Sequence, residues 1–212
     1  MPELRTLFKR LFKMNAEINP PFLITGLGNP GRQYRENRHN VGFMAVDRLA
    51  AHLGASFARM ESKAMIAKAD YKSQRLVLAK PQTFMNLSGQ SVSGLVHFYK
   101  VPLERMIVIT DDVDLPLGTL RMRPGGGSAG QKGMISIIER LGTQDFPRLR
   151  IGIGRPPGRM DAAAYVLQDF SKADKEFLDA ALERAVLALL EFVGSGLDAA
   201  MNKYNGAEQN GA

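Results

Sequence analysis

Apolar residues along this chain recur with two periods, and the period switches at breaks rich in glycine and proline. PFLITGL is a short, continuous apolar run and predicts a buried strand. Residues 41–53 change to helical spacing, with Phe43, Val46, Ala50 and Leu53 on one face. KAMIAKADYKSQRLVLAKP reads as two strands joined by a tight polar turn. Ser88 then opens a second helix as its N-cap, with Val92, Leu95, Val96 and Tyr99 forming the inner face. RMIVITDD is the strongest buried-strand signal in the chain. GTLRMRP predicts a further strand running into a glycine-rich segment at 125–130, which we call the glycine loop. GMISIIERLG predicts a short helix stopped by Gly142, and RLRIGIG a late strand before Pro156-Pro157. From 174 to about 193 a long helix is expected to bury Phe177, Ala181, Leu182, Ala185, Leu189 and Phe192.

The resulting order, β-α-β-β-α-β-β-α-β-α, predicts an α/β fold: a single domain whose mixed, twisted β-sheet is flanked by helices on both faces. Residues 22–203 are expected to form it, and 204–212 a flexible tail. Residues 1–21 read as a basic amphipathic extension, with Leu4, Leu7, Phe8, Leu11 and Phe12 at helical spacing and Arg5, Lys9, Arg10 and Lys13 elsewhere on the wheel. A short helix packed on the domain or a frayed terminus is favoured over a membrane- or RNA-docking helix, and Pro20-Pro21 would end it.

Composition narrows the function. With 212 residues and 45% apolar content the chain suits one domain with a full core. Its 28 Lys and Arg against 21 Asp and Glu give a formal charge of +7, which makes polyanions plausible partners. The absence of cysteine excludes disulfides, thiolate catalysis and Cys-ligated zinc or iron–sulfur sites. No apolar run is long enough to span a bilayer and no long signal-type apolar segment opens the chain, so stable membrane insertion is not expected and a cytoplasmic location is.

The stretch Gly26-Leu27-Gly28-Asn29-Pro30-Gly31 satisfies the letter of a dinucleotide fingerprint. Pro30 removes one of the N–H donors such a turn needs, and RQYRENRHN lacks the periodicity of a phosphate-facing helix. Asp47 lies inside an amphipathic run rather than at the end of a second strand, so the nucleotide reading is set aside. Gly89-Gln90-Ser91-Val92-Ser93 lacks the second glycine of a nucleophile elbow. In the run 125–133, Gln131 interrupts a P-loop's Gly-Lys and Gly133 replaces its hydroxyl.

His39 is more informative, because it sits in a polar segment just after the glycine turn while His52 and His97 lie on amphipathic helices. A neutral imidazole there can take a proton from water if a carboxylate fixes its tautomer. Asp111 closes the strand RMIVIT, so its carboxylate should emerge at the strand's C-terminal end, where α/β sheets carry their sites. Asp111, Asp112 and Asp114 also form the alternative of a Mg²⁺ site in a metal-dependent nuclease, although strand alternation sends the first two to opposite sides. Asn86 reads as an N-cap, and its amide is also suited to donate to a developing oxyanion. Arg121 and Arg123 alternate on one strand and Arg148 and Arg150 on another, with Arg155 and Arg159 close behind; arginines at both edges of the glycine loop suit a phosphate clamp.

Taken in order, GLGNPGRQYRENRHNVG, PQTFMNLSG, DDVDLPLG, GGGSAGQKG and RLRIGIGRP resemble the bacterial peptidyl-tRNA hydrolase family, from about residue 22 to about residue 203. The resemblance implies a monomer that needs no metal and no cofactor and hydrolyses the ester joining a peptide to tRNA, recycling tRNA from stalled translation. It implies that His39 activates water, that Asp111 orients His39 and keeps it basic, and that Asn29 holds the first carbonyl of the peptide. By the same resemblance Asn86 positions the attacking water or the oxyanion, Tyr34 and Phe84 lie at the tRNA and peptide contact, and Arg123 and Arg150 grip the tRNA 5′-phosphate. The chain departs from the pattern at Gly130-Gln131-Lys132-Gly133, where many relatives carry Gly-His-Asn-Gly. Lys132 cannot make an asparagine's pair of amide bonds, but it can meet a phosphate or an oxyanion as a point charge. That departure keeps a second expectation open, an RNA-binding relative of the same fold without turnover.

Overall fold

A computed structural model of the protein describes residues 20–206, so the basic extension lies outside the described residues except for Pro20 and Pro21. Seven strands form one mixed sheet in the order β2-β3-β4-β1-β5-β7-β6. They are β1 Phe22–Gly26, β2 Arg59–Glu61, β3 Ala64–Tyr71, β4 Gln74–Pro81, β5 Met106–Asp112, β6 Leu120–Arg123 and β7 Arg148–Gly152. The central strands β4, β1, β5 and β7 run parallel, while β2, β3 and β6 enter as antiparallel neighbours at the two edges. Among the described residues there are six α-helices: α1 Val41–His52, α2 Ser88–Tyr99, α3 Lys132–Leu141, α4 Ala162–Val166, α5 Lys172–Ser195 and α6 Leu197–Tyr204.

Alternation along the central strands divides the core in two. Phe22 and Ile24 of β1 join Ile107, Ile109 and Leu149 beneath α1, α5 and α6, whereas Leu23 joins Val77, Met106 and Val108 beneath α2 and α3. Every residue of β1 and of β5 is buried, which is why both read as continuous apolar runs rather than as alternation. Helices therefore cover both faces, as expected. The β3–β4 hairpin turns on Lys72 and Ser73, both at positive φ (46° and 63°), the backbone of a tight primed turn.

Several details differ from the sequence reading. The three-residue strand β2 is too short and too exposed to leave a periodic signal, and α4 and α6 were not expected. Helix α5 begins earlier than anticipated, where Ser171 and Asp174 form a capping box, and it ends at Ser195. Phe177 is 64% exposed, and its neighbour Leu178 takes the inward place. Phe43 and Leu53 are only half-buried, and the inner face of α1 is completed by Ala45 and Leu49. Ser88 is the first helical residue of α2 rather than its cap; its hydroxyl donates to the Met85 carbonyl at 2.8 Å. Residues 204–206, expected to begin a tail, are tied down: Gly206 pairs with Leu120 through two backbone hydrogen bonds.

Close backbone contact between α1 and β1 sets the position of the polar loops. A Cβ on Gly26 would stand 2.0 Å from the Gly42 carbonyl oxygen, and one on Gly42 would stand 2.5 Å from the Leu27 nitrogen. The first turn of α1 can therefore rest directly on the C-terminal end of β1, and the turn before it carries His39.

Candidate active site

Strands β1 and β5 are parallel neighbours with Gly26 opposite Ile109, so the loops leaving them open side by side at the carboxyl end of the sheet. Asp111 lies at that end of β5, and His39 lies in a 3-10 turn, Arg38–Asn40, after β1. His39 Nδ1 is 2.8 Å from Asp111 Oδ2, with only 12% and 4% of the two side chains exposed. An ionised carboxylate only accepts, so Nδ1 carries a hydrogen, and in the neutral ring Nε2 is left with its lone pair.

The turn bearing His39 is held from behind by Arg38. Its guanidinium donates to the carbonyls of Gln168 and Asp169 and to Asp174 Oδ2 at 2.9 Å, and it stacks 4.5 Å from the centre of the Tyr165 ring. Asn37 adds a bond to Asp169 at 2.7 Å. The segment 165–174 thus anchors the base of the turn through a buried cation, which requires several partners at once.

Amides organise the other wall. Asn40 accepts the Asn29 N–H (2.8 Å) and donates to the Asn29 carbonyl (2.9 Å), pairing with that backbone as a strand would. Asn29 Oδ1 in turn accepts the Met85 N–H at 2.9 Å. A backbone N–H can pair only with the oxygen of an amide, so the Asn29 amino group is the end left available. Met85 begins the 3-10 turn Met85–Leu87 that carries Asn86, which is an exposed residue of that turn and not a helix cap.

A cavity of about 730 Å³ brings together Asn29, His39, Phe84, Asn86, Asp111, Lys132 and Arg150. Tyr34 and Arg123 do not line it. Tyr34 lies in the separate turn Arg32–Tyr34, half-buried. Arg123 is exposed at the end of the edge strand β6, paired in register with Arg148. Because β6 runs antiparallel to β7, its last residue points away from the carboxyl end of β5. A second cavity, about 830 Å³, is lined by Asn29 and Asn40 but by neither His39 nor Asp111.

The arginines of β7 divide their work. Arg150 makes an ion pair with Asp112 at 2.5 Å and faces the cavity. Arg148 is buried instead, donating to the carbonyls of Gly126, Gly127 and Gln144 at 2.5, 3.1 and 2.7 Å, so it fastens the glycine loop rather than presenting a surface charge. Burial, with a smaller contribution from the like charge of Arg150, lowers its pKa from the ordinary arginine value. The three carboxylates considered as a Mg²⁺ site have separate partners: Asp111 meets His39, Asp112 meets Arg150 and Asp114 meets Arg155. Among the described residues no group of three or more His, Cys, Asp and Glu is placed to hold a metal ion.

Three participants escaped the sequence reading: Arg38, Asn40 and Gln131. Gln131 is the N-cap of α3, its side chain accepting the Met134 N–H, and its amino group lies 3.2 Å from Asp111 Oδ1. The only sequence signals were adjacency to His39 for the first two and a departure from a familiar spelling for the third.

A His–Asp pair and converging amides in an open cavity at the ends of parallel strands have the layout of a hydrolytic site carried on a mixed α/β sheet. The family model described as peptidyl-tRNA hydrolase matches residues 23–211. A peptidyl-tRNA hydrolase of Thermoanaerobacter sp. (strain X514) is 45% identical over 87% of this chain and 100% of its own length. The chloroplastic peptidyl-tRNA hydrolase of Arabidopsis thaliana is 53% identical over 80% of this chain and 59% of its own length. The crystal structure of peptidyl-tRNA hydrolase from Acinetobacter baumannii superposes with a TM-score of 0.83 at 31% identity, covering 90% of this chain and 97% of that one. The chain belongs to the peptidyl-tRNA hydrolase family.

Proposed function

We propose that this protein hydrolyses the ester between the peptide and the tRNA of peptidyl-tRNA, with His39 as general base. The observation that carries the reading is the 2.8 Å contact of His39 Nδ1 with Asp111, which leaves Nε2 as the basic nitrogen of a cavity-lining ring. Nε2 takes a proton from water as the oxygen bonds to the ester carbonyl carbon. The Asn86 amide and the Lys132 ammonium, both lining the cavity, offer donors to the resulting oxyanion. Collapse breaks the bond to the ribose oxygen, and the imidazolium returns its proton there, releasing a peptide acid and a tRNA with a free hydroxyl. The free amino group of Asn29 is suited to the first peptide carbonyl, and Phe84 to the apolar part of the substrate. Arg150, and Arg123 further out, serve the phosphate backbone, with Tyr34 at the margin of the same contact. In this reading the enzyme acts as a cytoplasmic monomer, without metal. Among the described residues no helix is long and apolar enough to cross a membrane.

The test is hydrolysis of N-acetyl-aminoacyl-tRNA by the purified protein in EDTA, beside the same tRNA with an unblocked amino acid. Rapid release of the amino acid from the blocked substrate alone is expected, and His39→Ala should lower it by on the order of 10²–10⁴-fold with binding retained. Binding without release by the parent protein would instead support the non-catalytic RNA-binding reading, and near-parent turnover by His39→Ala would remove His39 from the base role.

A further inference from the structure

We infer that Gln131 is a positioning residue for the His39–Asp111 pair, an inference that rests on the general-base reading above. Its amide faces two ways. Oε1 accepts the Met134 N–H at 2.7 Å, capping α3, and a backbone N–H requires an oxygen there. The amino group is therefore directed to Asp111 Oδ1 and to Met85 Sδ, each at 3.2 Å. Asp111 Oδ2 is already taken by His39, and the other donor to Oδ1, the Thr110 hydroxyl, is at 3.3 Å and equally close to the Asp111 carbonyl. Gln131 is thus the best-placed fixed donor on the far oxygen of the carboxylate.

The approach that allows this depends on Gly133. A Cβ there would stand 2.6 Å from Met85 Sδ and 3.0 Å from Gln131 Oε1, so a side chain would crowd the Gln131 amide and its Met85 neighbour out of their present positions. One amide thereby links the N-terminus of a packed helix to the carboxylate that orients the base.

The chemical consequence has a definite sign. A donor on Oδ1 draws part of the carboxylate charge away from His39 and fixes the carboxylate plane. Without it, more of the charge falls on the Nδ1–H, the imidazolium is held more firmly, and Nε2 stays protonated to higher pH. The other charged groups around the cavity are Asp112, paired with Arg150, and Lys132 and Asp161 on its rim. All of these stay in place when Gln131 is changed, so a shift in the pH profile reports the lost bond.

Gln131→Ser separates the two roles, because a serine oxygen can still cap α3 but has no amide to reach Asp111. The experiment measures kcat and KM for N-acetyl-aminoacyl-tRNA between pH 5 and 9 for the parent, Gln131→Ser, Gln131→Met and His39→Ala, with a thermal melt of each. Gln131→Ser should lower kcat by about 10-fold at nearly unchanged KM, and raise the acid limb of the kcat profile by about half a pH unit, with a melt close to the parent's. Gln131→Met should show the same acid-limb shift together with a lower melting temperature. A parent-like kcat and acid limb in Gln131→Ser, with His39→Ala inactive, would overturn this inference alone and leave Gln131 a helix cap. Near-parent turnover by His39→Ala would instead take away the base on which it rests.

Discussion

Replacing Asn40 tests whether the amide ladder beneath the site is a structural requirement. Asn40 is 2% exposed, and its side chain supplies both partners of the Asn29 backbone, at 2.8 and 2.9 Å. Asn40→Ala leaves a largely buried N–H and carbonyl without partners, each worth about 1–3 kcal/mol when orphaned. Asn29 lines both cavities, so water can replace part of what is lost. The net cost is then about 2–4 kcal/mol, a fall of roughly 5–15 °C in melting temperature for a chain of this size. Asn40→Asp is the sharper variant, because it keeps the acceptor for the Asn29 N–H and turns the donor into a second acceptor facing a carbonyl. A carboxylate in that place has its folded-state pKa raised above the unfolded value. Its penalty is absent below the unfolded pKa, where the group is protonated in both states, and grows as pH rises from there through the folded pKa. Melting curves of the parent and both variants, read from pH 4 to pH 8, decide the matter. A parent-like melt for Asn40→Ala, or an Asn40→Asp penalty that does not grow with pH, would refute the argument.

Two further predictions address the frame and the basic surface. Gly89→Ala would bring a Cβ to 2.0 Å from the Ser136 carbonyl oxygen where α2 crosses α3, and strain the 3.0 Å bond from the Gly89 N–H to Ser136 Oγ. A loss of about 2–4 kcal/mol in urea unfolding is expected, and an unchanged midpoint would show that the helices can separate cheaply. Arg123→Ala should weaken tRNA binding and reduce the slope of log K against log salt by about 1. An unchanged slope would leave Arg123 a solvated residue of an edge strand.

The central strands were legible because parallel strands covered on both faces are mainly apolar, and residues 22–24 of β1 and 106–109 of β5 run apolar without alternation. Strand β2 was not, since three residues with their side chains largely in water carry no periodic constraint. The phase of α5 failed at one place for a specific reason. Phe177 and Leu178 are both apolar and adjacent, and the spacing to Ala181 and Ala185 accommodates either; only packing against α1 and the sheet selects Leu178.

The same distinction applies within the site. His39 and Asp111 could be paired on paper because each is unusual where it stands, a histidine in a polar turn and a carboxylate closing an apolar strand. Asn40 and Gln131 are ordinary residues in ordinary places, and their importance comes from partners 11 and 20 residues away. A buried amide is costly unless its donors and its acceptor are met, so its role belongs to the network and not to the residue. Arg148 and Arg150 make the contrast sharpest. They share a strand and a parity, yet one is sunk into the carbonyls of the glycine loop and the other faces the cavity beside Asp112. The two sit at different heights on β7, Arg148 opposite Val108 and Arg150 opposite Thr110, so only the second is near the carboxyl ends where the polar loops gather. Sequence spacing assigns the face of a strand; the register with its neighbours decides which end of that face meets the chemistry.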